Sequence, residues 1–248
     1  MQRTNGVDSA RRVLEILLQF SRDKPELSVD DIVAAADVSL PSAYRYISLL
    51  REKYLIEERR KGYFVLSPEI LQLADAAERS MEYSREIEPV LNQLRDQTGE
   101  TALYLRQLND AAVCVAIAEP DLALRISFQP GHVMPLHAGA GAKVILSGLT
   151  KAKRDAYINK LDPPMPEAAR DKLVESLTQI KTRGIAVSEG EVDEGAWACA
   201  ASVTSHGRSI GAISLVAPSY RLDEQRRQAM IAAITDGADQ ISRLLARG

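Results

Sequence analysis

The pattern of apolar and polar residues at the start of the chain predicts two short helices. Apolar residues recur every three or four positions in residues 8–20, and Asp8 or Ser9 could cap the start of this helix. Its predicted buried face consists of Val13, Leu14, Leu17 and Leu18. The second helix begins at Ser28 with the sequence Ser-Val-Asp-Asp, a capping-box-like start in which Asp31 replaces the usual glutamate. We expect the two helices to be joined by a polar loop.

A third helix is predicted over residues 39–50, after a tight turn at residues 37–38. Ser39 is placed to cap this helix, and Pro41 lies in its first turn, where a proline costs no hydrogen bond. The residues predicted to anchor it inward are Ile47, Leu49 and Leu50. The order helix, helix, tight turn, helix is typical of a helix-turn-helix.

Two short apolar segments, residues 55–58 and 63–66, predict a β-hairpin after the third helix. The residues between them are Arg59, Arg60, Lys61 and Gly62. Glycine suits a hairpin turn because such turns need a positive φ. The hairpin is therefore a candidate wing with a basic tip.

Residues 68–83 are predicted to form one helix that links the N-terminal part to the rest of the chain. The apolar candidates for a face that packs on another helix are Ile70, Leu71, Leu73, Ala74 and Ala77.

The remaining residues alternate between helical and strand-like segments. Helices are predicted over residues 85–97, 138–149, 151–159, 166–183 and 223–245. Strands are predicted over residues 101–108, 111–118, 124–128, 185–188, 197–204 and 209–216. Because no strand-helix-strand period repeats, the sequence predicts an α+β fold rather than a doubly wound sheet.

Length and composition fit a chain of two ordinary domains. The chain has 248 residues, of which 46% are hydrophobic. No apolar stretch approaches the roughly 20 residues that cross a bilayer, and the first residues lack a signal peptide, so we expect a soluble, cytoplasmic protein. Cys114 and Cys199 have no CxxC spacing, which leaves a disulfide framework or a thiolate zinc site without support.

The charge distribution is uneven although the formal net charge is only −3. Lys and Arg slightly outnumber Asp and Glu in the first 66 residues, and the reverse holds in the remainder. A small negative net charge argues against a protein that coats nucleic acid or anionic membranes non-specifically. A weakly basic N-terminal part suits local contact with phosphate.

The third helix and the hairpin carry side chains suited to DNA. A short helix that starts at Ser39 and Pro41 could enter the major groove N-terminus first and present Ser42, Tyr44 and Arg45. Arg45 could fork onto a guanine, and the three cations of the hairpin tip could reach the adjacent phosphates. The alternative is a protein-contact module in which Arg45 is a solvated charge. The composition of the helix start and the hairpin tip favours DNA.

Signals for catalysis are weak. Gly139 and Gly141 open a predicted helix, but the next residues break the GxGxxG pattern and no parallel βαβ unit surrounds them. The three histidines, His132, His137 and His206, form no HxH or HxxxH pair for a metal. The sequence has no GxSxG elbow and no obvious carboxylate pair. We therefore expect a protein that is not an enzyme and that has no cofactor or metal site.

Four segments of the chain resemble the IclR family of transcription regulators. Residues 38–47, followed by Leu50 and residues 54–56, are similar to the recognition helix of that family. The other three segments are residues 135–138 with Gly141 and Lys143, residues 184–191 with Gly195, and residues 211–214 with Pro218. They occur in the order and spacing of the family, so the resemblance spans about residues 7–245.

The resemblance implies three parts with separate roles. Residues 1–67 would form a winged helix-turn-helix, residues 68–84 a linker helix, and residues 85–248 a GAF-like α/β domain that binds a small organic effector. It also implies homodimers, often dimers of dimers, on palindromic double-stranded operator DNA. The alternative is a small-molecule sensor whose N-terminal unit contacts a protein partner.

The effector pocket of the family maps onto this chain position by position. The resemblance places a small acid against Ala140 and Gly141, where helix-terminal amides could face a carboxylate. The opposite wall corresponds to Ser188, Trp197, Ala198, Ser214 and Val216. Glu189 and Glu191 would be either solvated loop charges or a lid over this pocket.

Three of these positions depart from the pattern of the family. Several members have an acidic residue at the position of Ser188, a cysteine at that of Ala198 and a second serine at that of Val216. The departures make the pocket less polar, and with Trp197 nearby they predict a larger, flatter ligand such as an aromatic acid. Trp197 could equally be a core anchor.

Overall fold

The structure, a computed structural model, divides the chain into two compact units, Met1–Met81 and Glu82–Gly248. It describes residues 6–21, 24–80 and 84–246, the side chains at 77–85 excepted. Helices and antiparallel sheets occur in an order with no repeated strand-helix-strand unit. The predicted α+β class is confirmed.

The first unit has three helices, a small sheet and a fourth helix. Its elements are α1 (Asp8–Leu17), β1 (Glu26–Ser28), α2 (Val29–Ala36), α3 (Leu40–Glu52), β2 (Ile56–Arg60), β3 (Tyr63–Leu66) and α4 (Ile70–Ser80). Strand β3 lies between β1 and β2, and both pairings are antiparallel. The sequence did not predict β1, because three residues are too few to show alternation. The helices and the hairpin form a winged helix-turn-helix.

Helix α3 is held in this unit by a single row of apolar side chains. Ala43, Ile47 and Leu50 are buried. Leu49, which was predicted to be buried, is 40% exposed. That prediction is wrong because the buried row follows the spacing i, i+4, i+7 from Ala43, and Leu49 lies outside it.

Helix α1 turns a different face to the core than its leucines predict. Ile16 is buried, and Val13 and Leu17 pack partly against the same core. Leu14 and Leu18 are 57% and 79% exposed, so their predicted burial is wrong. The buried row is spaced three and four residues from Val13, which places these two leucines on the neighbouring face.

The capping box at the start of α2 forms as predicted. Ser28 Oγ accepts a hydrogen bond from the Asp31 N–H (3.1 Å), and Asp31 Oδ2 accepts one from the Ser28 N–H (2.8 Å). Lys24 Nζ lies 2.7 Å from Asp31 Oδ1. The hydrogen bonds from Lys24 and then Ser28 hold the pKa of Asp31 well below its usual range.

We expect Asp31→Asn to lower the free energy of unfolding at neutral pH by about 1 kcal/mol, because the capping box is lost. The folded-state pKa of Asp31 is the lower one, so its contribution is present above the unfolded-state pKa of about 4 and is lost as the pH falls below it. Urea unfolding followed by circular dichroism across this pH range measures both effects. Asp30→Asn, in the same first turn, is the matched control. Equal losses in the two variants would contradict a role for the box.

The second unit is a six-stranded antiparallel sheet with helices on both faces. Its elements are α5 (Ser84–Thr98), β4 (Thr101–Leu108), β5 (Ala111–Ala118), β6 (Val133–Pro135), α6 (Ala140–Gly148), α7 (Lys151–Asn159), α8 (Glu167–Arg183), β7 (Ile185–Glu189), β8 (Ala196–Ser205), β9 (Arg208–Pro218) and α9 (Glu224–Leu245). The strand order is β6-β5-β4-β9-β8-β7. The strand predicted over residues 124–128 does not form, and the unpredicted β6 pairs with β5 at that edge.

Alternate residues of this sheet face two different cores. Helices α5 and α9 cover one face, and α6 and α8 cover the other. On β8 the alternation places Trp197 and Cys199 in the core under α5 and α9, and Ala198 and Ala200 on the side of α6. Neighbours along a strand therefore serve different parts of the unit.

Candidate functional site

Helix α3 presents a row of exposed side chains opposite its buried face. Pro41, Tyr44, Arg45 and Ser48 are exposed, Tyr44 by 51%. Arg45 Nη2 donates a hydrogen bond to the half-buried Ser42 Oγ (3.0 Å). The sequence analysis missed Ser48, although its position four residues after Tyr44 places it on the same helical face. The predicted residues of this helix lie together on one surface.

Ser39 is the N-cap residue of α3, but its side chain does not cap the helix. Among the described residues its hydroxyl lies 3.1 Å from Ser42 Oγ and makes no hydrogen bond to a first-turn amide. The predicted side-chain cap is wrong because the hydroxyl bonds to Ser42 instead. The amides of this turn are thus left for a ligand such as a phosphate.

The hairpin tip is narrower than the sequence predicts. The turn begins at Lys61, whereas Arg59 and Arg60 belong to β2. Arg60 Nη2 donates a hydrogen bond to Glu26 Oε1 (2.8 Å), and its guanidinium lies 3.6 Å from the centre of the Tyr63 ring. The Arg60 side chain is therefore held against the small sheet, and Lys61 is the exposed cation of the turn.

Helix α4 corresponds to most of the predicted linker helix. Residues 81–83 and the side chain of Ala77 lie outside the described residues. Leu71 and Leu73, predicted to pack on another helix, are 70% and 57% exposed. Within the described part of the first unit, these two side chains are not covered.

A cavity lies in the second unit between the sheet and the start of α6. Six of the seven predicted pocket residues line it: Ala140, Gly141, Ser188, Ala198, Ser214 and Val216. Ser188, Ala198 and Val216 are direct cross-strand neighbours on β7, β8 and β9. Residues far apart in the sequence therefore form one wall, while their part in binding stays a prediction.

Apolar side chains form much of the remaining cavity wall. They are Leu103, Leu105, Phe128 and Met134. The sequence analysis missed them, although Leu103 and Leu105 are alternate residues of β4 and so face the same side. The cavity volume is about 40 Å³, room for a few water molecules.

Gly141 lets the first turn of α6 approach the sheet. A Cβ at this position would lie 2.3 Å from Leu105 Cδ1 and 3.5 Å from Ser214 Cβ. Any larger residue would push Leu105 aside, so the glycine brings the helix start to the cavity.

Trp197, the seventh predicted residue, does not reach the cavity. Its side chain is 1% exposed and lies in the core under α5 and α9, with the Arg227 guanidinium 5.6 Å from the ring centre. The predicted place in the pocket wall is wrong because successive residues of β8 face opposite sides, and Ala198 faces the cavity. The alternative of a core anchor is the correct one.

The polar contacts of the cavity gather at the start of α6. The Ala140 N–H donates to Ser188 Oγ (3.0 Å), and the Gly139 N–H donates to Glu191 Oε2 (2.9 Å). Glu191 Oε1 lies 2.5 Å from Lys143 Nζ, and the Lys143 side chain is only 8% exposed. A carboxylate of the chain itself therefore lies at the N-terminus of α6.

The two acidic residues after β7 have different surroundings. Glu189 accepts two hydrogen bonds from the Arg227 guanidinium, of 2.9 and 3.0 Å. Glu191 lines the cavity and contacts α6. Of the two roles that the sequence left open, a lid over the pocket fits Glu191, and a surface ion pair fits Glu189.

The reactive side chains of the second unit give no sign of a catalytic centre. Burial raises the pKa of the Cys114 and Cys199 thiols to about 12, so both stay protonated at neutral pH. His137 Nδ1 lies 2.7 Å from the Tyr157 hydroxyl, and burial lowers the pKa of His137. No group of three or more metal-ligating side chains is found among the described residues. None of the described helices combines the length and the apolar content of a membrane span.

Sequence models of one protein family match both units. The model described as "Bacterial transcriptional regulator IclR C-terminal" matches residues 76–243, and the "IclR helix-turn-helix domain" matches residues 9–60. The chain belongs to the IclR family. It is a transcription regulator with a helix-turn-helix DNA-binding domain and an IclR C-terminal effector domain, and it belongs with regulators rather than enzymes.

IclR-family regulators are similar to this chain over nearly its whole length. KipR of Bacillus subtilis is 25% identical over 232 residues, which cover 92% of this chain and 93% of KipR. BhcR of Paracoccus denitrificans is 26% identical over 247 residues, which cover 96% of this chain and 88% of BhcR.

Solved IclR structures share the fold. An IclR transcriptional regulator from a Silicibacter species matches with a TM-score of 0.84 at 19% identity and covers 96% of both chains. An IclR homologue from Microbacterium hydrocarbonoxydans, crystallised with 4-hydroxybenzoate, matches with a TM-score of 0.82 at 17% identity, over 97% of this chain and all of the other.

Proposed function

We propose that this IclR-family regulator binds palindromic operator DNA through α3 and the β2–β3 hairpin, and that a small aromatic carboxylic acid in the α6 cavity alters its affinity for that DNA. The observation that carries the proposal is the cavity itself. It places helix-terminal amides and a serine hydroxyl at one end and apolar side chains around the rest.

The exposed row of α3 is suited to the major groove. Tyr44 and Arg45 follow the first turn of the helix, and Ser48 extends the row by a further turn. Arg45 supplies the planar fork that matches the O6 and N7 acceptors of guanine. Tyr44 and Ser42 supply hydroxyl groups for phosphate or base edges. The open amides near Ser39 suit a backbone phosphate.

Lys61 at the hairpin tip is suited to the phosphate backbone, so its loss should weaken all DNA sequences alike. We expect Lys61→Ala to reduce the affinity for operator and unrelated DNA by the same factor, and to lower the slope of log affinity against log salt by about 0.9. Fluorescence anisotropy titrations over a salt series measure both. Lys151→Ala, an exposed lysine of the second unit, is the matched control. A loss confined to the operator would contradict a phosphate contact.

The cavity favours an acid with an apolar body. Its polar atoms gather at the start of α6, where backbone amides favour negative charge. Phe128, Met134 and the two leucines of β4 suit a ring. The 4-hydroxybenzoate bound by the Microbacterium homologue is of this class. Trp197 no longer supports a flat ligand, so the ring preference rests on these contacts alone.

Control of DNA affinity requires the acid to bind two arrangements of the regulator unequally. We assign the transmission to α4, which begins directly after the winged helix-turn-helix. A homodimer or a dimer of dimers would place two copies of α3 on the two halves of a palindrome.

Retention of DNA in a gel tests the first half of the proposal. We expect the full-length chain to retard fragments of the DNA upstream of its own coding region at low salt. Selection from a random duplex pool should then return a palindromic sequence. If no duplex is bound with or without benzoate, 4-hydroxybenzoate or pyruvate, DNA binding is rejected and the first unit contacts a protein instead.

Thermal unfolding of the full-length chain tests the second half. An acid at 100 times its dissociation constant should add about 2.7 kcal/mol of stability. Benzoate and 4-hydroxybenzoate should stabilise the chain more than pyruvate and glyoxylate do. Stabilisation by the short acids alone would reject the aromatic class.

A further inference from the structure

We propose that Glu191 is a tethered carboxylate that occupies the anion position of the effector cavity, and that an acid effector must displace it to bind. The inference rests on the proposed function, because it assigns a built-in competitor to the same cavity. It makes Glu191 a determinant of both the affinity and the chemical class of the effector.

The contacts of Glu191 are those expected of a bound acid. One carboxylate oxygen accepts the Gly139 N–H at the N-terminus of α6 (2.9 Å), and the other lies 2.5 Å from Lys143 Nζ. The neighbouring Ala140 N–H is taken by Ser188 Oγ (3.0 Å). A helix N-terminus and an ammonium group together favour one negative charge. In this structure, the chain itself supplies that charge.

The segment that carries Glu191 is built to move as a short flap. It spans residues 190–195, between β7 and β8, and is bounded by Gly190 (φ 65°) and Gly195 (φ 80°). Glu191, Val192 and Asp193 on this flap all line the cavity. The backbone at each end adopts a conformation that glycine tolerates best. The flap could therefore swing outward while the pairing of β7 with β8 is kept.

The burial of Lys143 makes the displacement selective for acids. Its side chain is 8% exposed, whereas that of Glu191 is 34% exposed. A buried ammonium that loses its carboxylate is strongly destabilising, so Glu191 leaves at low cost only when another carboxylate replaces it. A neutral ligand of the same shape cannot make that replacement. The exposed side of Glu191 gives the incoming acid a path.

The size of the cavity also requires Glu191 to leave. Its volume of about 40 Å³ holds a few water molecules, which is less than an aromatic acid needs. Departure of the Glu191 side chain and its flap enlarges this space from the solvent side. If the flap is closed in nine of ten molecules, the apparent dissociation constant rises about tenfold over that of the open site.

Replacing Glu191 with alanine tests the inference, because the change deletes the atoms of one acetate ion. The measurement is the thermal unfolding temperature of the full-length chain in series of sodium acetate, acetamide and sodium chloride at matched ionic strength. We expect Glu191→Ala to unfold at a lower temperature than the wild type and to regain stability with acetate, but with neither acetamide nor chloride. Its apparent dissociation constant for acetate should be about tenfold below that of the wild type or lower.

Two further variants locate the effect. Glu189→Ala removes an equivalent carboxylate two residues away, which is paired with Arg227, and it should respond to acetate as the wild type does. The double variant Glu191→Ala, Lys143→Met should lose the acetate response, because the ammonium is gone. An acetate response that persists in the double variant would place the ion elsewhere and overturn the inference.

An equal acetate response in wild type and Glu191→Ala, or none in either, would also overturn it. If Glu191→Ala does not fold without acetate, Glu191→Gln keeps the volume and removes the charge. It should bind acetate more tightly than the wild type, and equal binding would count against the inference. None of these measurements involves DNA. Acetate rescue without acid control of DNA binding would reject the proposed function alone, and acid control without rescue would reject the tethered competitor alone.

Discussion

Arg45→Ala is expected to weaken binding to the operator by about 1–3 kcal/mol, which is about 5- to 150-fold in affinity. Arg45 is exposed on α3 beside Tyr44, and in the structure its only described partner is Ser42. The expected loss comes from a forked pair of hydrogen bonds to a guanine. Base preference should therefore relax at one position of each half-site, while binding to unrelated DNA changes much less.

The matched control for this prediction is Arg51→Ala, which removes the same charge from the last turn of the same helix. Arg51 lies 3.3 Å from Glu58 and should contribute little to base preference. Arg45→Lys keeps the charge but not the fork, so it should behave like Arg45→Ala at the specified base. Operator and unrelated duplexes compared by anisotropy give the answer. If all duplexes are weakened equally by Arg45→Ala, the side chain contacts phosphate and not a base.

Trp197→Ala is expected to lower the free energy of unfolding by about 3–5 kcal/mol, the largest stability change predicted for the second unit. The indole is 1% exposed in the core under α5 and α9, so its removal leaves a large void. Urea unfolding must be followed by circular dichroism, because the variant has lost the single tryptophan of the chain.

Trp197→Phe separates a core role from a place in the binding site. Phenylalanine keeps an aromatic ring in the same core, so the stability loss should be smaller. The affinity for benzoate-type acids should stay at the wild-type value, because the ring faces away from the cavity that Ala198 lines. A Trp197→Phe variant with normal stability but weakened acid binding would return the ring to the pocket wall.

Local signals in the sequence predicted most of the secondary structure. The hairpin β4–β5 has the predicted bounds, because two alternating segments flank a turn at Asn109, which adopts a positive φ of 54°. The capping box of α2 also formed, since both of its partners lie within one turn. Such signals depend on neighbours in the chain and so are visible in one sequence.

The errors arose where the side of an element had to be known. Leu49 and Leu14 are apolar but lie outside the buried rows of their helices, and only packing decides which row is buried. Trp197 and Ala198 could not both line one pocket wall, because adjacent strand residues face opposite sides. Strand alternation could have exposed this conflict before the structure was known.

The candidate site was predicted in part by resemblance and completed only by tertiary structure. The resemblance placed Ala140, Ser188 and Val216 at one pocket, and all three line the same cavity. The contact between Lys143 and Glu191 joins residues 48 positions apart. No local pattern predicts such a pairing, because it depends on how the flap after β7 folds over α6.

The central claim is that an acid bound in the second unit changes the DNA affinity of the first. The most direct test is an anisotropy titration of a labelled operator duplex with the full-length chain at fixed salt. It is performed without acid, with whichever of benzoate, 4-hydroxybenzoate and pyruvate stabilises the chain most, and with the corresponding neutral amide. We predict a change of about fivefold or more in the dissociation constant with the acid alone, as expected for a coupling of at least about 1 kcal/mol. An unchanged dissociation constant at an acid concentration that raises the unfolding temperature would contradict the account.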